Sequence, residues 1–171
     1  MTRAVYYLGE SGTGKTTLMA RRLAGWTVGP YIRFTPREMF GHYLSHPEQG
    51  YGAYLGHLRP EYPGTDALAL SVAPHAMLWL QSLPLLGLDW VFGEGQRIGH
   101  PGFLTALDAL TDLTVVHLQV SPEVAAARRA GRGGSKLITE RHCKLIRTKA
   151  LKSATACAEA GLRVVGTDPE L

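Results

Sequence analysis

The sequence predicts an α/β fold in which a mostly parallel β-sheet carries helices on both faces. Short strand-like runs alternate with helical segments along the chain, which is typical of parallel strands joined by crossover helices. A glycine-rich stretch lies directly between the first strand-like run and the first helical segment. A chain of 171 residues is long enough to bury a core and short enough for one unit, so we expect a single domain over residues 1–171.

The glycine-rich stretch predicts a phosphate-binding loop. Residues 9–16 read G-x-x-x-x-G-K-T, between a strand-like run over 4–8 and a helical run over 16–23. Its glycines allow backbone N–H groups to surround a phosphate chain, Lys15 can reach the β- and γ-phosphates, and the Thr16 hydroxyl can ligate Mg²⁺. The helix N-terminus adds partial positive charge. The predicted nucleotide-binding residues are Gly9, Glu10, Ser11, Gly12, Thr13, Gly14, Lys15, Thr16 and Thr17.

The first half of the chain contains both regular and irregular segments. A second strand is expected over 28–34 and a helix over 35–44, because Thr35 followed by Pro36 is a helix-start signal. Residues 45–64 are rich in Gly, Pro, Tyr and His and show little periodicity, which predicts a long irregular loop. A helical stretch then opens at residues 65–66, and an apolar helix is expected over 73–86.

The second half alternates more regularly. Strands are expected over 90–92, 114–120 and 163–165, with a helix over 101–110 between the first two. Ser121 and Pro122 are an N-cap and first-turn pair for a helix that ends at Ala130. After a glycine-rich break at 131–134, a long basic helix is expected over 136–160.

The predicted sheet selects one acidic residue for the metal. Ligands of parallel sheets bind at the carboxyl ends of the strands. Asp89 precedes the strand at 90–92 and is therefore at the wrong end, whereas Glu94 follows it. We expect Glu94, together with Thr16, to hold Mg²⁺ or its bound water; the alternative is that Glu94 caps a loop.

The net charge of +4 is concentrated in one region. Residues 121–152 contain nine basic and two acidic side chains, which predicts contact with a polyanion: ATP phosphates, a phosphorylated acceptor or nucleic acid. The alternative for the lysines is a solvated helix face with i, i+4 pairs. The basic residues are Arg128, Arg129, Arg132, Lys136, Arg141, Lys144, Arg147, Lys149 and Lys152.

Several function classes are disfavoured. No apolar run approaches the roughly 20 residues of a membrane span, and the N-terminus leads straight into a strand without a visible signal peptide. The expectation is a cytoplasmic protein with no membrane partner. The guanine-reading N-K-x-D pattern of GTPases is missing, which favours ATP and leaves a small phosphotransferase as the leading class.

Residues 116–125, followed by Arg128, Arg129 and Arg132, resemble the fourth strand and lid of nucleotide-kinase-like proteins, including thymidylate kinases. The resemblance implies a three-layer P-loop NTPase fold with a five-stranded parallel sheet and a lid at about 121–147. It also implies that Arg128 and Arg132 close over the transferring phosphoryl group, where guanidinium groups can bind two oxygens at once.

The acceptor side departs from thymidylate kinases, because their Asp-Arg-Tyr run is missing. The stretch R-P-x-x-P-G-T-D-A-L at 59–68, Gly-Glu-Gly-x-Arg at 93–97 and Arg-Thr-Lys-Ala at 147–150 are similar to small bacteriophage P-loop kinases. Some of these phosphorylate 5-hydroxymethyluracil in DNA, which implies a DNA acceptor and, for a phage-encoded chain, the host cytoplasm.

We expect Asp66 to act as base toward the acceptor hydroxyl, with a helix cap or a first-turn acid as the alternative. Arg59 and Arg97 are candidate acceptor-binding residues. Tyr51, Tyr54 and Tyr62 are candidates to stack on a base, and packed loop aromatics are an equal alternative.

Three hypotheses therefore remain from the sequence. The first is an ATP- and Mg²⁺-dependent kinase that phosphorylates a hydroxymethylated pyrimidine in DNA, with Lys15, Asp66, Glu94, Arg128 and Arg132 as catalytic residues. The second is a kinase of a free nucleoside, nucleotide or other small molecule. The third is a nucleotide-dependent switch that transfers no phosphate.

Overall fold

A computed structural model describes residues 1–35, 39–58, 64–131 and 139–167. Within these ranges the strands are β1 (Arg3–Leu8), β2 (Thr27–Arg33), β3 (Met39–His46), β4 (Gly50–Leu55), β5 (Trp90–Glu94), β6 (Asp112–Leu118) and β7 (Arg163–Thr167). The helices are α1 (Lys15–Arg22), α2 (Val72–Ser82), α3 (Pro101–Asp108), α4 (Pro122–Ala130) and α5 (Glu140–Glu159), with short 3₁₀ helices at Thr65–Ala67 and Leu83–Leu85. None of the helices in these ranges is long and apolar enough to cross a membrane.

The described strands form one sheet in the order β2-β3-β4-β5-β1-β6-β7. Five of them, from β4 to β7 in this order, are paired in parallel. The β2–β3 and β3–β4 pairs are antiparallel and extend the sheet at one edge. The α/β class expected from the sequence is confirmed, and the described sheet has seven strands rather than five.

The two added strands correct the sequence interpretation. The predicted helix over 35–44 is wrong for its second part, because Met39–His46 is β3; residues 36–38 lie outside the described ranges. The loop predicted over 45–64 is also wrong in part, because Gly50–Leu55 is β4. Ala53, Tyr54 and Leu55 are completely buried, so β4 is covered on both faces and shows no alternation of polar and apolar residues.

Helices cover both faces of the sheet, and two separate apolar clusters fill the two interfaces. On one face, Tyr6 and Leu55 pack with residues of α2, α3 and α5. On the other face, Tyr54 and Phe92 pack with Met19 of α1. Neighbouring positions of the same strand point to opposite faces, so β4 contributes to both clusters. The result is the three-layer arrangement expected from the sequence.

Gly93 in β5 provides a test of this packing. A Cβ atom there would lie 2.5 and 2.6 Å from two carbons of the Tyr6 ring, which is fully buried. We expect Gly93→Ala to lower the unfolding free energy by about 1–3 kcal/mol, as overpacked cores do. Gly166→Ala in β7 is the matched control, because nothing lies within 4 Å of the added atom. Thermal melts of both variants check this, and equal melting temperatures would contradict the described contact.

Candidate active site

The glycine-rich segment 9–14 connects β1 to α1 in a conformation that only glycine adopts easily. Gly9, Gly12 and Gly14 have φ values of 147°, 94° and 96°. At Gly12 a Cβ atom would also collide with the carbonyl oxygen of Ala125 in α4. The loop therefore packs directly on the α4 backbone, and this contact matters for the arginines described below.

Lys15 is held over the loop that precedes it. Its Nζ donates hydrogen bonds to the carbonyl oxygens of Gly9, at 2.8 Å, and Glu10, at 2.7 Å. The Thr13 hydroxyl also donates to the Glu10 carbonyl, at 2.9 Å. The ammonium group thus lies at the mouth of the loop, where a phosphate held by the loop amides would meet it.

Glu94 lies at the end of β5 and is a buried acid, with 2% of its surface exposed. Its Oε2 accepts a hydrogen bond from the Thr16 hydroxyl, at 3.2 Å, and its Oε1 accepts one from the Tyr54 hydroxyl, at 3.1 Å. Burial raises the pKa of Glu94, against the opposing effects of Lys15 and these two hydrogen bonds. Burial and the Glu94 charge raise the pKa of Tyr54, so its phenol stays protonated and donates.

The Thr16 and Glu94 oxygens fit a magnesium ion. Mg²⁺ is usually held by one or two carboxylates together with waters and substrate phosphates, rather than by a cage of protein ligands. Among the described residues there is no group of three or more His, Cys, Asp or Glu side chains that could hold a metal ion. A carboxylate and a neighbouring hydroxyl beside the glycine-rich loop are donors of the kind that this ion takes.

Asp66 and Arg97 are brought together next to Glu94, but they are engaged with each other. Asp66 Oδ1 accepts hydrogen bonds from the backbone N–H groups of Gln96, at 2.7 Å, and Arg97, at 3.1 Å. Arg97 Nη2 donates to the Asp66 carbonyl, at 3.1 Å. Asp66 thus ties the 3₁₀ turn to the loop after β5. It lies in the first turn of this 3₁₀ helix, whose N-cap is Gly64, and its role as a base stays a prediction.

The described residues on either side of the candidate acceptor segment, residues 59–63, lie close to Glu94. His57 and Gly64 are joined by two backbone hydrogen bonds, of 3.1 and 2.9 Å. A Cβ atom on Gly64 would lie 2.9 Å from Glu94 Cγ. Arg59 and Tyr62 belong to residues 59–63, which lie outside the described ranges. The described residues on both sides of this segment therefore lie beside Glu94.

Of the candidate stacking tyrosines that are described, neither lies open at this end of the sheet. Tyr54 is fully buried and donates to Glu94, a partnership that the sequence did not indicate. Tyr51 is 65% exposed, but its N–H group bonds Asp89 Oδ2 at the opposite, amino-terminal edge of β5. The alternative of a packed aromatic therefore applies to Tyr54.

The basic region reaches the phosphate loop through Arg129 and Arg147. Arg129 Nη1 donates to the Ser11 carbonyl, at 2.7 Å, and to Glu10 Oε2, at 3.4 Å. Arg147 donates from Nε to Glu10 Oε1, at 2.6 Å, and from Nη2 to Oε2, at 3.1 Å. The hydrogen bond to Glu10 raises the pKa of Arg147. Arg132 is outside the described ranges.

The sequence interpretation missed these two partnerships. It selected Arg128 and Arg132 from the resemblance to a lid and gave no separate role to Arg129 or Arg147, which bind the loop. Two features of the sequence could have indicated them: a carboxylate inside the phosphate loop, and arginines in the basic region that could pair with it.

Comparisons with known proteins place the chain in a family. A family model described as P-loop Nucleotide Kinase3 matches residues 1–154. Among curated proteins there is no significant match to the sequence.

Two similar solved structures are of the deoxyadenosine kinase from M. mycoides. One, with the products dCMP and a flexible dCDP bound, is 15% identical, with a TM-score of 0.50 and coverage of 98% of this chain and 91% of that chain. The other, with dATP bound, has the same identity and coverage and a TM-score of 0.48. At this identity, the likeness to the first structure concerns the fold.

Proposed function

The chain belongs to the P-loop Nucleotide Kinase3 family, and we propose that it transfers the γ-phosphate of ATP to the hydroxyl of a hydroxymethylated pyrimidine in DNA. Family membership makes the chain a P-loop phosphotransferase, and the DNA acceptor is the proposed part. The observation that supports transfer is the convergence of Lys15, Thr16 and Glu94 beside the ends of the candidate acceptor segment.

The nucleotide side of the proposal uses the phosphate loop. When bound, ATP supplies the phosphoryl group and Mg²⁺ neutralises part of the phosphate charge. Lys15 leaves the Gly9 and Glu10 carbonyls to bind the β- and γ-phosphates, while the loop amides hold the phosphate chain. Thr16 and Glu94 hold the metal or its water through their adjacent oxygens. These residues position the triphosphate for in-line transfer.

The acceptor side of the proposal uses Asp66, Arg59 and Arg97. In this proposal, the two amide hydrogen bonds to Oδ1 fix the Asp66 carboxylate, and Oδ2 accepts the proton of the attacking hydroxyl. Arg59 and Arg97 bind the phosphate of the acceptor. Arg128 and Arg132 belong to the proposed lid at about 121–147, which closes over the transferring group.

A DNA acceptor accounts for basic side chains that the nucleotide site does not use. Lys144, Lys149 and Lys152 are exposed on α5. Such a face suits the DNA backbone, whose neutralised phosphates release counterions. The target base must be flipped out or single-stranded to reach the γ-phosphate.

The second candidate function is a kinase of a free nucleoside or nucleotide. The description of the family as nucleotide kinases favours it. In addition, the loop contacts of Arg129 and Arg147 already give part of the basic region a role that requires no DNA.

The two candidates differ in their response to salt and to charge removal. We expect a Lys144→Gln/Lys149→Gln/Lys152→Gln triple variant to lose at least about tenfold in kcat/KM for hydroxymethyluracil-containing DNA. The slope of log(kcat/KM) against log[salt] should become shallower by up to about 0.9 for each phosphate contact that is lost. Initial rates across a salt series, on DNA and on the free nucleoside, measure this.

Arg163→Gln is the matched control, since Arg163 is exposed at the start of β7. Phosphorylation of the free nucleoside with none of the DNA would reject the DNA acceptor and establish the second candidate. A triple variant that acts on DNA like the wild type would remove α5 from the proposed DNA contact.

A further inference from the structure

We infer that Glu10 is a positioning residue that holds Arg147 at the phosphate loop, where Arg147 and Arg129 bind the terminal phosphate of ATP. The inference rests on the proposed function, because it takes the nucleotide to be ATP. It goes beyond the lid arginines expected from the sequence, since it assigns a role to a loop carboxylate and to an arginine of α5.

Glu10 is an unusual side chain for its place. It is 2% exposed and is the second residue of a loop whose other features all suit an anion. A buried carboxylate there would repel phosphate unless it were neutralised. Arg147 binds both of its oxygens and Arg129 adds a longer ion pair, so the carboxylate carries two guanidinium partners. The cluster as a whole therefore carries a surplus positive charge.

Arg129 reaches the loop because α4 packs on it at close range. The glycine at position 12 allows the loop backbone to touch Ala125, as described above. Residues four apart lie on the same face of a helix, so Arg129 lies one turn beyond Ala125 on the loop-facing side. Its hydrogen bond to the Ser11 carbonyl fixes it there independently of Glu10.

Arg147 reaches the same carboxylate from α5 by the same logic. Cys143, four residues earlier, is buried with 3% exposure, so this face of α5 is directed inward. The side chain of Arg147 remains 41% exposed despite its bidentate contact. The contact with Glu10 therefore holds the Arg147 side chain, while part of that side chain stays accessible to a ligand.

Three cationic groups converge on residues 9–11. Lys15 Nζ binds the Gly9 and Glu10 carbonyls, Arg129 binds the Ser11 carbonyl, and Arg147 binds the Glu10 carboxylate. Lysines at this position of the motif reach the β- and γ-phosphates. The two arginines thus lie at the part of the loop that meets the end of the triphosphate. ATP, with its additional phosphate, should gain more from them than ADP.

The test is equilibrium binding of Mg²⁺–ATP and Mg²⁺–ADP to purified variants, without any acceptor. We expect Arg147→Gln and Arg129→Gln each to weaken ATP binding about tenfold and ADP binding less than about threefold, since charge-assisted hydrogen bonds are the strong ones. Glu10→Gln should reduce the same ATP-over-ADP preference. The Glu10→Gln/Arg147→Gln double variant should bind ATP no more weakly than Arg147→Gln, because both substitutions remove the same Glu10–Arg147 contact.

Arg163→Gln serves again as the charge-matched control and should bind both nucleotides like the wild type. Thermal melts show which variants fold, and the partly exposed Arg147 provides a test even where Glu10→Gln destabilises the loop. Equal losses for ATP and ADP in folded arginine variants, or no loss for either, would overturn the inference. A wild-type chain that binds neither nucleotide would instead overturn the proposed function.

Discussion

Replacing Lys15 by alanine is expected to abolish phosphoryl transfer while the chain remains folded. The ammonium group is the cation nearest to the loop carbonyls of Gly9 and Glu10, and the proposed reaction uses it on the β- and γ-phosphates. Single cationic groups on a transferring phosphoryl are worth roughly 10³- to 10⁵-fold in kcat, so we expect a loss of at least about 10³-fold. Transfer of label from γ-labelled ATP measures it.

Arg21→Ala is the control for the Lys15 variant. Arg21 is exposed in the last turn of α1, the same helix, and takes no part in the proposed site. Far-ultraviolet circular dichroism and melting temperature show whether both variants keep the fold. Turnover of Lys15→Ala at the wild-type rate would reject the assignment of the loop.

Glu94→Gln is expected to remove activity and, at neutral to alkaline pH, to stabilise the fold. The amide keeps the size of the side chain and its place beside Thr16 and Tyr54, but it is a poor ligand for Mg²⁺. We expect at least about a 10²-fold loss in kcat. Because burial raises the pKa of Glu94, its charged form is disfavoured in the folded state. A neutral amide avoids that cost.

The stability effect has a defined dependence on pH. A raised pKa in the folded state means that the Glu94 carboxyl contributes stability below its unfolded value, near 4.5, and loses it as the pH rises through the folded value. Near pH 8, Glu94→Gln should therefore melt higher than the wild type by about 2–4 °C, which corresponds to about 1 kcal/mol in a chain of this size. Toward pH 4.5 the difference should shrink. A wild type that is more stable than the variant at pH 8 would contradict the described environment of Glu94.

The same carboxyl sets an expectation for activity. Metal binding requires the charged form, so wild-type activity should decline as the pH falls through the Glu94 pKa, which lies above 4.5.

The features that the sequence predicted are those encoded locally. The phosphate loop is a contiguous motif with a strand before it and a helix after it, so residues 9–17 could be assigned without the structure. Glu94 was selected by one geometric rule, because a residue that follows a parallel strand lies at the ligand-binding edge. Thr16 and Glu94 are 78 positions apart, yet both could be placed at this edge from their elements alone.

The features that the sequence did not predict depend on tertiary contacts. Strand pairing decides the structure of Met39–His46, which the sequence predicted as the second part of a helix, since β3 is held between β2 and β4. The contact of Arg129 with the loop depends on the rotation of α4, which the Gly12–Ala125 contact fixes. The hydrogen bonds that Asp66 accepts from the backbone N–H groups of Gln96 and Arg97 also join residues 30 and 31 positions apart in the sequence.

The most direct test of the central claim is the fate of the γ-phosphate in a single turnover with Mg²⁺, ATP and DNA that contains 5-hydroxymethyluracil. We expect the label in a phosphomonoester on the modified base, none on matched thymine DNA, and no transfer by the Lys15→Ala variant. Release of all label as inorganic phosphate, with none on this DNA or on free nucleosides and nucleotides, would contradict the account and establish a nucleotide-dependent switch instead.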